Sequence, residues 1–212
     1  MIKTQIEQEE LVRQALKRSI SYADYRLLVD KHASTFTSTG HTQTEALSNY
    51  TILNNKRMKR WDKTLKLDPE HKAQIEKFDY KMNWLVLTES WCGDAAHTIP
   101  VMNALANCNE NIELSIVLRD DNPQLMDAFL TNGSMSIPKL IIQDDLSKGV
   151  LGSWGPRPST ATNLVEDYKS KNELLTPVFK EELQMWYNKD KGQTTASDIV
   201  NLIESFYPQN EI

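Results

Sequence analysis

The chain has 212 residues, 25% of them charged and 40% apolar, with a formal net charge of −5. That length suits one domain with additions and is ample for a core, and the acidic balance argues against a general nucleic-acid binder. No stretch approaches the ~18 apolar residues of a membrane span, two cysteines make no disulfide framework, and the polar opening lacks the apolar run of a secretory leader. A cytoplasmic protein is expected.

Residues 4 to 20 read as a charged helix, with Ile6, Leu11, Val12, Ala15 and Leu16 on one stripe. Ser21, followed three positions on by Asp24, is a capping-box pattern with Asp in place of Glu or Gln; it starts a second helix through Tyr25, Leu28, Val29 and His32. The polar segment Ser34 to Thr44, with Gly40, is a loop. A third helix carries Leu47, Tyr50, Met58, Trp61 and Leu65 on its core side, with Asn54 as a polar interruption. Its basic cluster, Lys56, Arg57, Lys59 and Arg60, reads as a solvated face, with an anion or acidic-partner site as the alternative. Asp68-Pro69 places an N-cap before a proline at the first helical position and starts a short helix running to about Phe78. No strand is expected before Trp84.

Trp84 to Leu87 is a buried-strand run that turns polar over Thr88, Glu89 and Ser90 and reaches Cys92 and Gly93 at a turn. A helix follows from about Gly93 to Ala106, burying Ile99, Met102, Leu105 and Ala106, with a kink expected at Pro100. A cysteine at a helix N-terminus is favoured as its thiolate, the reactive form, by unpaired N–H groups and the positive end of the macrodipole. Asp94 acts both ways: it suits the dipole and could cap Ala96 or His97, yet it repels a thiolate. Cys108 lies ~24 Å along a continuous helix from Cys92, beyond disulfide reach.

Ile112 to Leu118 is the next strand. It ends in Arg119-Asp120-Asp121-Asn122-Pro123, ahead of a helix at Gln124 to Leu130, so strand, helix and strand make a right-handed parallel pair. Lys139 to Gln143 and Val150 to Trp154 form an antiparallel hairpin. Gly155-Pro156-Arg157-Pro158 stops the sheet, Ser159 or Thr160 caps a helix, and Glu173 to Tyr187 and Thr195 to Phe206 are amphipathic helices.

Trp91-Cys92-Gly93, Pro100 eight positions after the cysteine, and Ile137-Pro138-Lys139-Leu140 opening a strand occur in the order found in thioredoxin-like proteins, which the chain resembles over roughly residues 80 to 170. The resemblance implies an α/β fold with a central four-stranded mixed sheet flanked by helices. It assigns residues 81–170 to the core, 1–80 to a helical N-terminal extension and 171–212 to a C-terminal one. It also implies a thiol site facing a cis-proline loop, with Pro138 cis. Three positions depart from the redox-active pattern. Ala95 stands where the second cysteine belongs, Val86 where a buried carboxylate is common, and Asp94 where proline is usual.

Two functions fit. In one, Cys92 is the single catalytic thiol of a monothiol oxidoreductase, forming a mixed disulfide or sulfenic acid that a second molecule resolves. Its partners are protein thiols or disulfides, or a small thiol, and Trp91, Gly93, Asp94, Ile137 and Pro138 bind the substrate. In the other, the chain is a redox-silent binding or scaffold protein using the Trp91 and Pro138 surface. No nucleic acid, membrane or cofactor is expected. No metal site is expected either, because His32, His41, His71 and His97 are far apart in sequence. His97 should project from a different part of its helix than the thiol, and Arg119 reads as a surface cation with a lesser role beside the thiolate.

Overall fold

The N-terminal helices begin where the sequence supplies a side-chain acceptor for their unpaired N–H groups. Thr4 forms a full capping box with Glu7 ahead of α1 (Gln5–Leu16), and the Ser21 hydroxyl accepts the Asp24 N–H at the start of α2 (Tyr22–Ser34). Thr44 caps α3 (Glu45–Thr64), and Asp68 caps α4 (Pro69–Glu76), with proline at its first turn. These elements come from a computed structural model that describes residues 4–172 and 174–206.

The sheet is built from β1 (Ile20–Ser21), β2 (Met82–Thr88), β3 (Ile112–Leu118), β4 (Lys139–Asp144) and β5 (Val150–Trp154), in the order β1-β3-β2-β4-β5. β2 and β3 are parallel, joined over α5 (Gly93–Ala106), and the other neighbours are antiparallel. The sheet therefore has five strands, where four were expected. The extra one, β1, lies well before Trp84 and pairs Ile20 and Ser21 with Ile116 and Ser115. Two residues are too short to show an alternating pattern, and their strand character exists only through β3. Trp84, Leu85, Val86 and Leu87 in central β2 are fully buried, the continuous apolar run of a strand covered on both faces.

α3 departs from its expected face. Its buried side is Ser48, Thr51, Asn54, Asn55, Met58 and Trp61, while Tyr50 is exposed. The reason is what it covers. The first part of α3 lies over the turn after β2, whose polar groups need partners there, so Thr51 Oγ1 pairs with Ser90 Oγ at 2.8 Å and Asn54 Nδ2 donates to Ser90 O at 2.9 Å. Asn54 is thus the centre of the buried face and not an interruption.

Beyond β3 come α6 (Pro123–Ala128), α7 (Ser159–Lys169), α8 (Pro177–Asp190) and α9 (Gln193–Phe206). α8 begins at Pro177 with Thr176 as its cap; the expected start at Glu173 lies outside the described residues. Val12 and Ala15 of α1 share one apolar cluster with the sheet, α5, and Ala196, Ile199, Val200 and Ile203 of α9. Ala161 and Val165 of α7 and Phe179, Leu183 and Tyr187 of α8 form a second, smaller cluster.

α8 is tied to α5 through His97, which is 2% exposed. Trp61 Nε1–H donates to its Nδ1 at 3.0 Å, so Nε2 carries the proton and donates to Gln184 Oε1 at 2.6 Å, while the Tyr187 ring stacks on the imidazole at 4.4 Å. His97 is absorbed in packing and does not line the thiol pocket. Burial pushes its pKa down to about 4.

The peptide bonds Ile137–Pro138 and Gly155–Pro156 are both cis. Gly155 sits at φ +115°, and a Cβ there would lie 2.2 Å from the Pro138 carbonyl oxygen, so only glycine lets the second loop pack on the first.

Two outcomes follow. The neutral His97 supports folding above its unfolded pKa of about 6.5, and that support is lost as pH falls toward 4, by about 3 kcal/mol. The difference in urea-unfolding free energy between wild type and His97→Gln should therefore shrink by that amount between about pH 7 and about pH 4; a pH-independent difference would contradict a buried neutral imidazole. Gly155→Ala should lower stability by more than about 2 kcal/mol, read as a lower denaturation midpoint.

Candidate functional site

The turn between β2 and α5 is clamped from behind. The Thr39 N–H donates to Ser90 Oγ at 2.9 Å, and the Ser90 N–H donates to Thr39 Oγ1 at 2.7 Å. Thr51 and Asn54 hold Ser90 from α3, and the Asp120 N–H donates to Glu89 Oε1 at 2.9 Å. Glu89 is fully buried, and burial, with Asp120 close by, raises its pKa. A buried carboxyl therefore stands behind the turn at a position the sequence reading did not consider, since Val86 holds the usual one. Tyr25 is buried behind the turn as well, near Cys92 and Glu89, and burial raises its hydroxyl pKa.

Cys92 is the N-cap of α5 and is 7% exposed. Its Sγ accepts the Ala95 N–H at 3.5 Å, and its S–H donates to the Ile137 carbonyl at 3.2 Å. Burial first, and the Asp94 carboxylate second, push the thiol up to about 12; the Ala95 N–H and Arg157 pull the other way without prevailing. The helix end, expected to favour the thiolate, is outweighed by desolvation. At neutral pH Cys92 is a hydrogen-bonded thiol.

Asp94 caps neither Ala96 nor His97. Its Oδ2 takes Arg157 Nη2 at 2.7 Å, and its Oδ1 takes the Tyr187 hydroxyl at 3.0 Å. Burial raises the Asp94 pKa against the pull of Arg157 and Tyr187, while Arg157, despite its own burial, is held above its ordinary range by Asp94. Both partners donate, so the ionised carboxylate is the form that satisfies the geometry. Arg157 reaches Asp94 because the Gly155–Pro156 turn packs on Pro138.

A pocket of about 460 Å³ opens in front of Cys92. Of the residues expected at the site, Trp91, Cys92, Gly93, Asp94 and Ile137 line it, whereas Pro138 sits behind the wall against Gly155. Arg119 also lines it, but lies over the Trp91 ring at 4.9 Å and pairs with Asp120 at 2.7 Å, so the cation that acts on the thiol is Arg157. Arg157, Lys180, Leu183 and Gln184 are wall residues that the sequence did not single out, and Arg57, expected on a solvated face with an anion or acidic-partner site as the alternative, lines the wall as well. The signal for Arg157 was present as the only charge in Gly155-Pro156-Arg157-Pro158, a segment otherwise built to stop a strand. Nothing in the local pattern of α8 marks the other three.

Cys108 is also free, its S–H donating to Ala104 O at 3.2 Å. Among the described residues no group of His, Cys, Asp and Glu is arranged to hold a metal ion, and no helix is long and apolar enough to cross a membrane.

The solved structures similar to this chain include a protein of unknown function from Pseudomonas aeruginosa, with a TM-score of 0.54 and 19% identity over 72% of this chain and 85% of that one. Another is an HIV epitope scaffold, with a TM-score of 0.54 and 18% identity over 88% of this chain and 99% of that one. At these identities the likeness shows the fold alone. No curated protein sequence matches the chain. A family model described as thioredoxin matches residues 40–169, starting in the loop before α3 and ending with α7. With the mixed sheet, the cysteine at the start of α5 and the cis bond before Pro138 all in place, the chain belongs to the thioredoxin-like family.

Proposed function

We propose that this thioredoxin-like chain is a binding protein that takes a ligand in the pocket bounded by Trp91, Cys92 and Ile137 without thiol–disulfide turnover. The observation that carries this reading is the state of Cys92, a buried thiol donating to the Ile137 carbonyl, with its pKa pushed up to about 12. Such a thiol is ionised to only about one part in 10⁵ at pH 7, and the thiolate is the form that attacks a disulfide. Ala95 adds to this, because a mixed disulfide on Cys92 has no resolving thiol three residues on. Both cysteines are free, which supports placement in the reducing cytoplasm.

The monothiol reading draws on a different observation. Cys92 lines the pocket, and the Ala95 N–H and Arg157 both act in favour of its thiolate. Under that reading the partners are protein thiols or disulfides, or a small thiol, and Trp91 and Ile137 border the attacked sulfur.

The rate of Cys92 alkylation by iodoacetamide against pH, followed by mass spectrometry in a Cys108→Ser background, separates the two. The binding reading expects a midpoint clearly above the free-thiol value of about 8.5 and slow labelling at neutral pH; a midpoint below that value would restore the monothiol enzyme. Asp94→Asn removes the like charge beside the sulfur and should lower the midpoint by about one pH unit.

A further inference from the structure

The charges on the pocket wall do not balance. Arg57, Arg119, Arg157 and Lys180 line it, and Asp94 is its one carboxylate among the described residues. Arg157 is matched by Asp94, and Arg119 by Asp120 outside the wall. Arg57 and Lys180 have no ion pair among the described residues. Lys180 is exposed at the mouth, where water suffices. Arg57 is half-buried, and burial lowers its pKa. The Asp94 carboxylate acts on it across the pocket but is already held by Arg157 and Tyr187. A partly desolvated cation with no ion pair of its own is unfavourable, and on a solvated helix face it would simply extend into water.

The structure holds Arg57 in place instead. Its Nη1 donates to Asn54 Oδ1 at 2.9 Å, and Asn54 is fully buried, with its Nδ2 committed to the Ser90 carbonyl. Because a carbonyl accepts from one end of that amide, the other end must be the acceptor, so the amide has one orientation and presents its oxygen to the guanidinium. The same turn that carries Cys92 thus fixes the arginine. Nη1 lies close to Gly93, 3.6 Å from where a Cβ at that position would be, so the guanidinium sits beside the start of α5. Trp91, Ile137 and Leu183 supply apolar surface on the other walls.

We propose, on the reading that this pocket is a binding site, that its ligand is a small carboxylic acid with an apolar body. The carboxylate docks on Arg57, with Lys180 adding charge at the mouth, and the body lies on Trp91 and Leu183 above the Cys92 thiol. A cavity of about 460 Å³ suits a small molecule. Arginine's planar fork suits a carboxylate, and Asp94 on the same wall weighs against a dianion.

The test follows the Trp91 indole N–H by ¹⁵N NMR, assigned with Trp91→Phe, during titration with 3-phenylpropionate, its neutral amide, and phenyl phosphate. The acid should shift that resonance saturably, and the amide should bind at least about tenfold more weakly. Arg57→Gln should weaken the acid by about tenfold, with Lys56→Gln on the exposed face unchanged. Should Arg57→Gln fail to fold, Arg57→Lys, which keeps the charge but not the fork, should weaken the acid more than the amide. Tighter binding of phenyl phosphate than of the acid would overturn the choice of a carboxylate. Equal binding of acid and amide would overturn the acid while leaving a pocket that binds, and no saturable shift with any probe would also overturn it. Failure of the binding reading itself shows separately, as a low alkylation midpoint for Cys92.

Discussion

Asp94 joins segments that are far apart in the chain. Its carboxylate, at the start of α5, receives Arg157 from the loop after β5 and the Tyr187 hydroxyl from α8. Breaking a largely buried pair of this kind leaves an uncompensated charge and costs more than making the pair gains. The pair is therefore better understood as fixing position than as supplying stability. It holds the Gly155–Pro156 loop against the Pro138 loop and sets one wall of the pocket where α8 meets α5.

The same carboxylate also acts on the thiol, second to burial. In a thioredoxin-like site the cysteine is exposed to opposing effects, the helix end favouring the thiolate and the apolar surroundings disfavouring it. Here Asp94 adds its weight to the second. Arg157, which would otherwise act fully on the sulfur, is largely spent on Asp94, so its charge reaches Cys92 as one half of a dipole. The Ile137 carbonyl then accepts the proton that the thiol keeps. A carboxylate in the place of the usual proline thus adds to burial in favouring the neutral thiol.

Much of this was legible in the sequence wherever the cause was local. The caps at Ser21 and Asp68, the apolar run from Trp84, the hairpin around Ser147 and Lys148, and the cis bond before Pro138 each rest on a few neighbouring residues or on the family pattern. What stayed hidden depends on partners distant in the chain. β1 is a strand only because β3 lies beside it. The polar face of α3 reads as a defect in an amphipathic pattern until Ser90 supplies the groups that Thr51 and Asn54 satisfy. Asp94 looked like a helix cap because its real partners, Arg157 and Tyr187, lie beyond the range of any helical periodicity, and Arg57 looked solvated because periodicity does not show what a helix leans over.

The core does not respect the limits of the segment that defines the family. Val12, Ala15, Ala196, Ile199, Val200 and Ile203 are all buried in the main apolar cluster, and all lie outside residues 40–169. Helices α1 and α9 are walls of the same interior as β2 and α5. Excising the matched segment would leave the sheet with bare apolar surface where those walls stood. For this chain the unit that evolution makes recognisable is smaller than the unit that physics requires to fold, and the cooperativity of unfolding belongs to the larger one.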